Sequence, residues 1–305
     1  MIEHGFANTL RAIVGDDGVR EQVPMSTLTT FQIGGPAAVV VEPATAEQAA
    51  CVLRACREAN VPVKVLGLGS DLLVSDAGVD AVVMRIAQRC ASIVVAGSKL
   101  VVDAGASNAQ VAEAALAAGL AGYEFASGIP GTIGGAAIMN AGAYGGEFRD
   151  VCCRVTCATP EGRLVEVAAW QACWGYRHSM MSDAGWTVLG AELQLRPDSP
   201  DAIRARMDDL AARRAEKQPL EMPSAGSTFK RPTGYFAGKL IQDAGLRGFR
   251  VGGAQVSEKH TGFVVNAGGA TAADVRELIA QVQQRVFDND GVRLEPEVRM
   301  WGFAE

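Results

Sequence analysis

The chain has 305 residues, 49% apolar and 20% charged, which allows a large buried core and two or three compact units. A net charge of −6 argues against a nucleic-acid or anionic-membrane partner. No apolar run approaches the roughly 20 residues that span a bilayer, and residues 1–20 carry no export signal, so the reading is a cytoplasmic protein without membrane insertion.

In chain order, Gly34-Gly35-Pro36 marks a turn before a strand at 37–41. Thr45 with Gln48 is a capping box that opens a helix ending before Pro62. A strand at 63–66 runs into Gly67-Leu68-Gly69-Ser70, and another follows at 81–86. Strands 93–96 and 100–104 flank Gly97-Ser98 as a hairpin. Ser107 with Gln110 caps a short Ala-rich helix that ends at Gly119. After the Gly-rich stretch 127–146 comes a hairpin, 154–158 with 163–167, and then a strand at 186–195. Ser199-Pro200 opens a helix and suggests a domain boundary near 198. Thr271 and Asp274 cap a helix with Val275, Leu278, Ile279, Val282 and Val286 on one face. The last element, 292–301, alternates as an edge strand, with Val292, Leu294, Val298 and Met300 on one face and Arg293, Glu295, Glu297 and Arg299 on the other. Strands and helices without a regular βαβ rhythm predict an α+β fold.

The seven cysteines show no zinc spacing and read as reduced, mostly buried thiols. His4, His178 and His260 show no metal-ligand spacing, so no metal site is expected. The glycines and Pro130 of Ser127-Gly-Ile-Pro-Gly-Thr-Ile-Gly-Gly135 argue against a helix or a regular strand. Such a loop offers backbone N–H groups to a pyrophosphate and lets the chain approach a flat ring, although a long surface loop has the same composition. Gly67-Leu-Gly-Ser-Asp71 is equally a tight turn or a phosphate contact.

Longer strings are more specific. Phe31-Gln-Ile-Gly-Gly-Pro-Ala37, Gly67 to Ser75, Gly128 to Gly135 continuing to Asn140-Ala-Gly-Ala-Tyr-Gly-Gly-Glu147, Tyr176-Arg-His-Ser179, Ala225-Gly-Ser-Thr-Phe-Lys230, Gly253-Ala-Gln-Val-Ser257 and Leu294-Glu-Pro-Glu-Val-Arg299 occur in this order. Together they resemble the UDP-N-acetylenolpyruvylglucosamine reductases, members of the vanillyl-alcohol-oxidase-like flavoproteins. The resemblance implies FAD lobes at 1–85 and 86–197 and a C-terminal substrate domain at 198–305. It places FAD contacts at Gly34, Gly67, Gly69, Ser70, Asp71, Leu72, Gly128, Ile129, Pro130, Gly131, Thr132, Gly134, Gly135, Asn140, Ala141 and Gly142. With no His or Cys in the two loops, the FAD is expected to be non-covalent.

The same resemblance makes Arg177, Ser227 and Glu297 the catalytic set, where each alone reads as an ordinary ion-pair or turn residue. A guanidinium can grip a carboxylate with two parallel hydrogen bonds, and a hydroxyl can protonate a strongly basic carbon. Tyr144, Lys217, Lys230, Gln255, His260 and Asn266 fall at positions implied to meet the UDP-sugar or nicotinamide. Arg231 stands where the family usually has Asn. The implied reaction uses NADPH as hydride donor and converts UDP-N-acetylenolpyruvylglucosamine to UDP-N-acetylmuramate. The short spacing from Arg177 to Ser227 leaves no room for the tyrosine loop inserted in some members. A monomer or weak homo-oligomer is expected. A different flavin oxidase, or a non-catalytic flavin module, would keep the glycine loops without the Arg, Ser and Glu set.

Overall fold

A computed structural model describes residues 5–303; His4 lies outside them. The chain forms two compact units. One holds residues up to Glu21 with Val39–Leu68 and Ala81–Arg214, and the other holds Gln22–Ala38, Gly69–Asp80 and residues from Ala215 on. The fold is α+β.

The first unit contains two hydrophobic cores. One packs Leu10 of helix Phe6–Val14 and Val52, Leu53 and Cys56 of helix Ala46–Glu58 against Val41, Val82 and Met84. These last three sit in a four-stranded sheet ordered Val19–Pro24, Pro36–Val41, Val79–Arg85, Val63–Leu66. Thr45 caps the helix, its side chain accepting from Gln48 N, but the Gln48 side chain accepts from Ala44 N, one residue short of the return bond that the expected capping box makes.

The second core lies on a five-stranded sheet ordered Leu164–Ala168, Cys152–Ala158, Thr187–Gln194, Lys99–Asp103, Ile93–Ala96. Each neighbouring pair is antiparallel, and the Gly97-Ser98 turn joins the last two. Helix Asn108–Ala117 carries its Ser107–Gln110 capping box, worth about 1 kcal/mol. Helix Pro200–Lys217 adds Ile203 and Met207 to this same core, so the compact unit runs on to Arg214 where the sequence suggests a boundary near 198.

The second unit is built on an antiparallel sheet ordered Ser224–Ser227, Phe263–Asn266, Ala254–Val256, Arg250–Val251. Val275, Leu278, Ile279, Val282 and Val286 of helix Ala272–Asp290 bury against it with Phe31, Leu73, Phe229 and Leu240. Besides the Thr271–Asp274 capping box, both carboxylate oxygens of Asp76 accept the N–H groups of Ala272 and Ala273. A carboxylate there satisfies orphan donors and opposes the positive end of the helix dipole.

The expected strand at 292–301 is shorter. Only Arg299–Trp301 is strand, parallel to Leu72–Val74, and Met300 is 36% exposed rather than facing in with Leu294 and Val298. Pro296, which has no N–H to donate, interrupts the pairing upstream and leaves one bridge to Phe229.

All seven cysteines are free thiols. Burial pushes Cys56 and Cys90 up to about 11 and Cys152 and Cys157 up to about 12, so these four stay protonated and unreactive at neutral pH. Among the described residues no helix is long and apolar enough to cross a membrane.

Candidate active site

The Gly-rich segment is less irregular than its composition predicts, because Ile133–Met139 is a helix containing Gly134 and Gly135. Tertiary contacts offset the helix cost of glycine, about 1 kcal/mol each. Ile133 N donates to Ala106 O and Gly134 N to Ala104 O, each at 2.9 Å, while Thr132 caps the first turn. Ile133, Ala136 and Ala137 are buried in the second core. These first-turn N–H groups therefore bond within the protein and do not form the open nest that the sequence suggests.

The stretch just before the helix is held from outside by a residue that the sequence reading did not single out. Asn108 donates from its backbone to Gly131 O and from its side chain to Ile129 O, and it accepts from the Tyr123 hydroxyl at 2.8 Å. Tyr123 is wholly buried, and desolvation holds its phenol protonated. The two glycine loops meet inside the first unit: a Cβ on Gly67 would lie 2.6 Å from Thr132 Oγ1, so only glycine fits there. In the second unit, Gly69 has φ +65° and Thr30 N donates to its carbonyl oxygen.

Gly135 is different. It lies in a helix that any residue can adopt, and the nearest protein atom to a Cβ there is Thr132 Oγ1 at 3.9 Å. Neither conformation nor protein packing demands glycine at 135, so the bare backbone leaves room for a group that is not protein. Gly135 is exposed, and a bare backbone there is compatible with the approach of a flat cofactor.

Downstream, Ala143 pairs with Gly146 around Tyr144 and Gly145. Both turn residues have positive φ, +53° and +87°, the two-residue turn that matches strand twist. Tyr144 is thereby held 46% exposed at the hairpin tip.

Arg177 sits on a turn closed by Gly175 N donating to His178 O. Its own φ is +54°, unusual for a long side chain, and its guanidinium lies 5.1 Å from the Tyr176 ring centre. The turn is fastened to the C-terminal end of helix Ile133–Met139. Trp174 Nε1 donates to Ala137 O at 2.8 Å and Ser179 Oγ to Ile138 O at 2.7 Å. Helix and arginine turn are thus one packed piece of the first unit. His178 Nε2 meets Asp183 at the exposed surface.

Ser227 and Glu297 belong to the second unit, where the structure brings them to neighbouring backbone positions. Glu297 N donates to Thr228 O at 2.8 Å, and Lys230 N donates to Glu295 O. On its other side, Thr228 N donates to Gly262 O and Thr228 Oγ1 accepts from Val264 N. Gly226 has φ +76°, and the pairing register shifts between Ser224 and Ser227, a bulge that leaves Ser227 exposed. The line continues from Glu297 to Arg299, whose N–H donates to Asp71 O beside Leu72. Thr30 ties Gly69 and Ser227's strand together, its hydroxyl donating to Ser224 O at 2.6 Å.

The other anticipated substrate residues differ in how far the protein already occupies them. Asn266 donates to Phe31 O and accepts from the Gly268 and Ala270 N–H groups. Gln255 reaches Gly248 O and Glu258. His260 Nδ1 accepts from Gly262 N at 3.1 Å, and burial lowers its pKa, so the ring stays neutral at pH 7. Lys230 pairs with Glu295, and the Arg231 guanidinium lies 3.9 Å from the Phe236 ring centre. Lys217 is exposed at the end of its helix. Among the described residues no group of three or more His, Cys, Asp or Glu side chains is arranged to hold a metal.

Residues 37–168 match an FAD binding domain, and residues 218–301 match the C-terminal domain of UDP-N-acetylenolpyruvoylglucosamine reductase. Fold and site define an FAD-dependent oxidoreductase. A UDP-N-acetylenolpyruvoylglucosamine reductase of Agathobacter rectalis is 49% identical over 93% of this chain and 94% of its own. One of Clostridioides difficile is 46% identical over 97% of each. The crystal structure of UDP-N-acetylenolpyruvylglucosamine reductase from Thermus caldophilus matches with TM-score 0.81 and 36% identity, covering 93% of this chain and 100% of that one. The chain belongs to the UDP-N-acetylenolpyruvoylglucosamine reductase family, whose reductase role lies in peptidoglycan precursor synthesis.

The open space at Gly135 gives a direct test of the cofactor's path. Gly135→Leu is expected to fold with an unchanged or higher melting temperature, because glycine inside a helix costs about 0.5–1 kcal/mol. Its FAD content, measured by absorbance per mole of protein, is expected to fall more than about tenfold by steric exclusion. Full FAD occupancy in that variant means the cofactor does not pass Gly135.

Proposed function

We propose that this protein reduces the enolpyruvyl ether of UDP-N-acetylglucosamine to UDP-N-acetylmuramate with NADPH, in the cytoplasm, as a monomer or weak homo-oligomer. FAD, when bound without a covalent link, relays hydride from NADPH to the methylene carbon of the ether. The residues expected to hold it are Gly34, Gly67, Gly69, Ser70, Asp71, Leu72, residues 128–132, Gly134, Gly135, Ala141 and Gly142, with Asn140 offering only its backbone.

Hydride arrival at the methylene pushes an electron pair through the adjacent carbon into the carboxylate. Arg177 grips that carboxylate and stabilises the growing charge, and Glu297 orients the enol form. The Ser227 hydroxyl gives its proton to the adjacent carbon, and the resulting alkoxide regains a proton from solvent. Tyr144, Lys217, Lys230, Gln255, His260 and Asn266 would meet the UDP-sugar or nicotinamide, and Lys230 would exchange Glu295 for a phosphate to do so.

The observation that carries this reading is the backbone frame at Thr228. It sets Ser227 and Glu297 on adjoining stretches, as a proton donor and its orienting acid require. The test is NADPH consumption with and without the enolpyruvyl UDP-sugar. Consumption that requires the sugar is expected, and sugar-independent turnover alone would overturn the reading.

A further inference from the structure

Asn140 is assigned to FAD by position, yet its side chain is directed elsewhere. It ends helix Ile133–Met139 in the left-handed conformation, φ +44° and ψ +56°, and is only 2% exposed. Its carboxamide is fully engaged by protein. Nδ2 donates to Glu147 Oε2 at 2.8 Å and to Gly175 O at 3.2 Å, and Oδ1 accepts from Arg149 N at 3.0 Å. With both amide hydrogens and the oxygen committed, little of the group is left for a cofactor.

Each of these bonds leads toward the arginine turn. Gly175 is two residues before Arg177 and closes its turn with His178. Glu147 is held in place by Arg149 Nε at 2.8 Å, and an Arg149 guanidinium nitrogen also reaches Trp174 O at 3.5 Å. Trp174 and Ser179 in turn donate to the last helix carbonyls, those of Ala137 and Ile138. The contacts run both ways: two side chains of the turn cap the helix, and the residue that ends the helix holds the turn.

We propose that Asn140 is a positioning residue for Arg177, fixing the turn that carries the guanidinium against the end of the flavin-segment helix through Gly175 and Glu147. This rests on the reading of Arg177 as the group that grips the substrate carboxylate. A displacement of about 1 Å in such a group can cost about a hundredfold in rate, so the buried amide network is large enough to matter for turnover.

Asn140→Gly separates backbone from side chain, since glycine adopts the left-handed helix end without strain and removes only the carboxamide. Three quantities are read in the holoenzyme: FAD content, flavin reduction by NADPH, and reoxidation of reduced flavin by the enolpyruvyl UDP-sugar. The expected result is full FAD content, NADPH reduction within about twofold, and sugar-dependent reoxidation slowed about 10- to 100-fold. In an Arg177→Ala background the same change is expected to cost less than about twofold, because the residue through which Asn140 acts is already gone. Loss of FAD would overturn the proposal and return Asn140 to the cofactor. Equal slowing of both half-reactions, or an undiminished penalty in the Arg177→Ala background, would show a general structural role. Failure of the unsubstituted protein to be reoxidised by the sugar would instead overturn the functional reading beneath it.

Discussion

Replacing Ser227 with alanine should leave reduction of bound flavin by NADPH nearly intact while slowing reoxidation by the enolpyruvyl UDP-sugar about 100- to 10,000-fold. The asymmetry follows from where the hydroxyl acts. Hydride transfer into the flavin needs no proton on carbon, whereas the second half-reaction ends with a carbanion-like centre that must be protonated. The fold should survive the change. Ser227 is exposed at a bulge, and the hydrogen bonds that fix its strand come from the Thr228 backbone, the Thr228 hydroxyl and Thr30. Stopped-flow absorbance of the flavin separates the two steps, and equal loss in both would make Ser227 structural.

Arg177→Ala should be nearly as severe, by a different route. Deleting the guanidinium leaves the substrate carboxylate without its charged partner. An unpaired buried charge of this kind costs about 2–5 kcal/mol, equivalent to roughly 30- to 5,000-fold in kcat/KM for the sugar. Arg177→Lys keeps the charge but loses the paired donors, so it should recover only part of the loss. Local structure should persist, because Trp174, Ser179 and Asn140 tie the turn to the helix. Steady-state kinetics of both variants decide the point, and a substrate KM and kcat untouched by Arg177→Ala would remove the arginine from the mechanism.

How legible the molecule was in its sequence depended on the range of the interaction. The Thr45 helix cap, the capping boxes at Ser107 and Thr271 and the Gly97-Ser98 hairpin could be read directly, because their determining hydrogen bonds span three or four residues. Helix Ile133–Met139 could not. Its glycines oppose it locally, and what stabilises it comes from the carbonyls of Ala104 and Ala106 and from burial in a core assembled from distant strands. The strand expected across 292–301 failed because its alternation was real only where Leu294 and Val298 bury, and Pro296 withheld the hydrogen bond that would have continued the ladder.

The site divides along the same line. Arg177, Ser227 and Glu297 were visible as members of long strings, and the structure adds the scaffolding that those strings do not reveal. Asn108 fastens Ile129 and Gly131, Asp76 caps a helix almost two hundred positions away, and Thr30 joins Gly69 to Ser224. None of these has a local signature, since Asn, Asp and Thr in loops are ordinary turn residues until their partners are known. Asn140 and Asn266 show the converse: their positions in recognisable strings imply ligand contacts, and the structure adds bonds from their amides to the protein that those strings do not reveal.

The measurement closest to the central claim is a single turnover. The holoenzyme is reduced with one equivalent of NADPH without oxygen, mixed with the enolpyruvyl UDP-sugar, and followed by flavin absorbance and by the mass of the sugar product. The prediction is that the yellow colour returns only when the sugar is added and that the product gains two hydrogens, the mass of the lactyl ether. A flavin that stays reduced in the presence of the sugar, or reoxidises while the sugar remains unchanged, would contradict it.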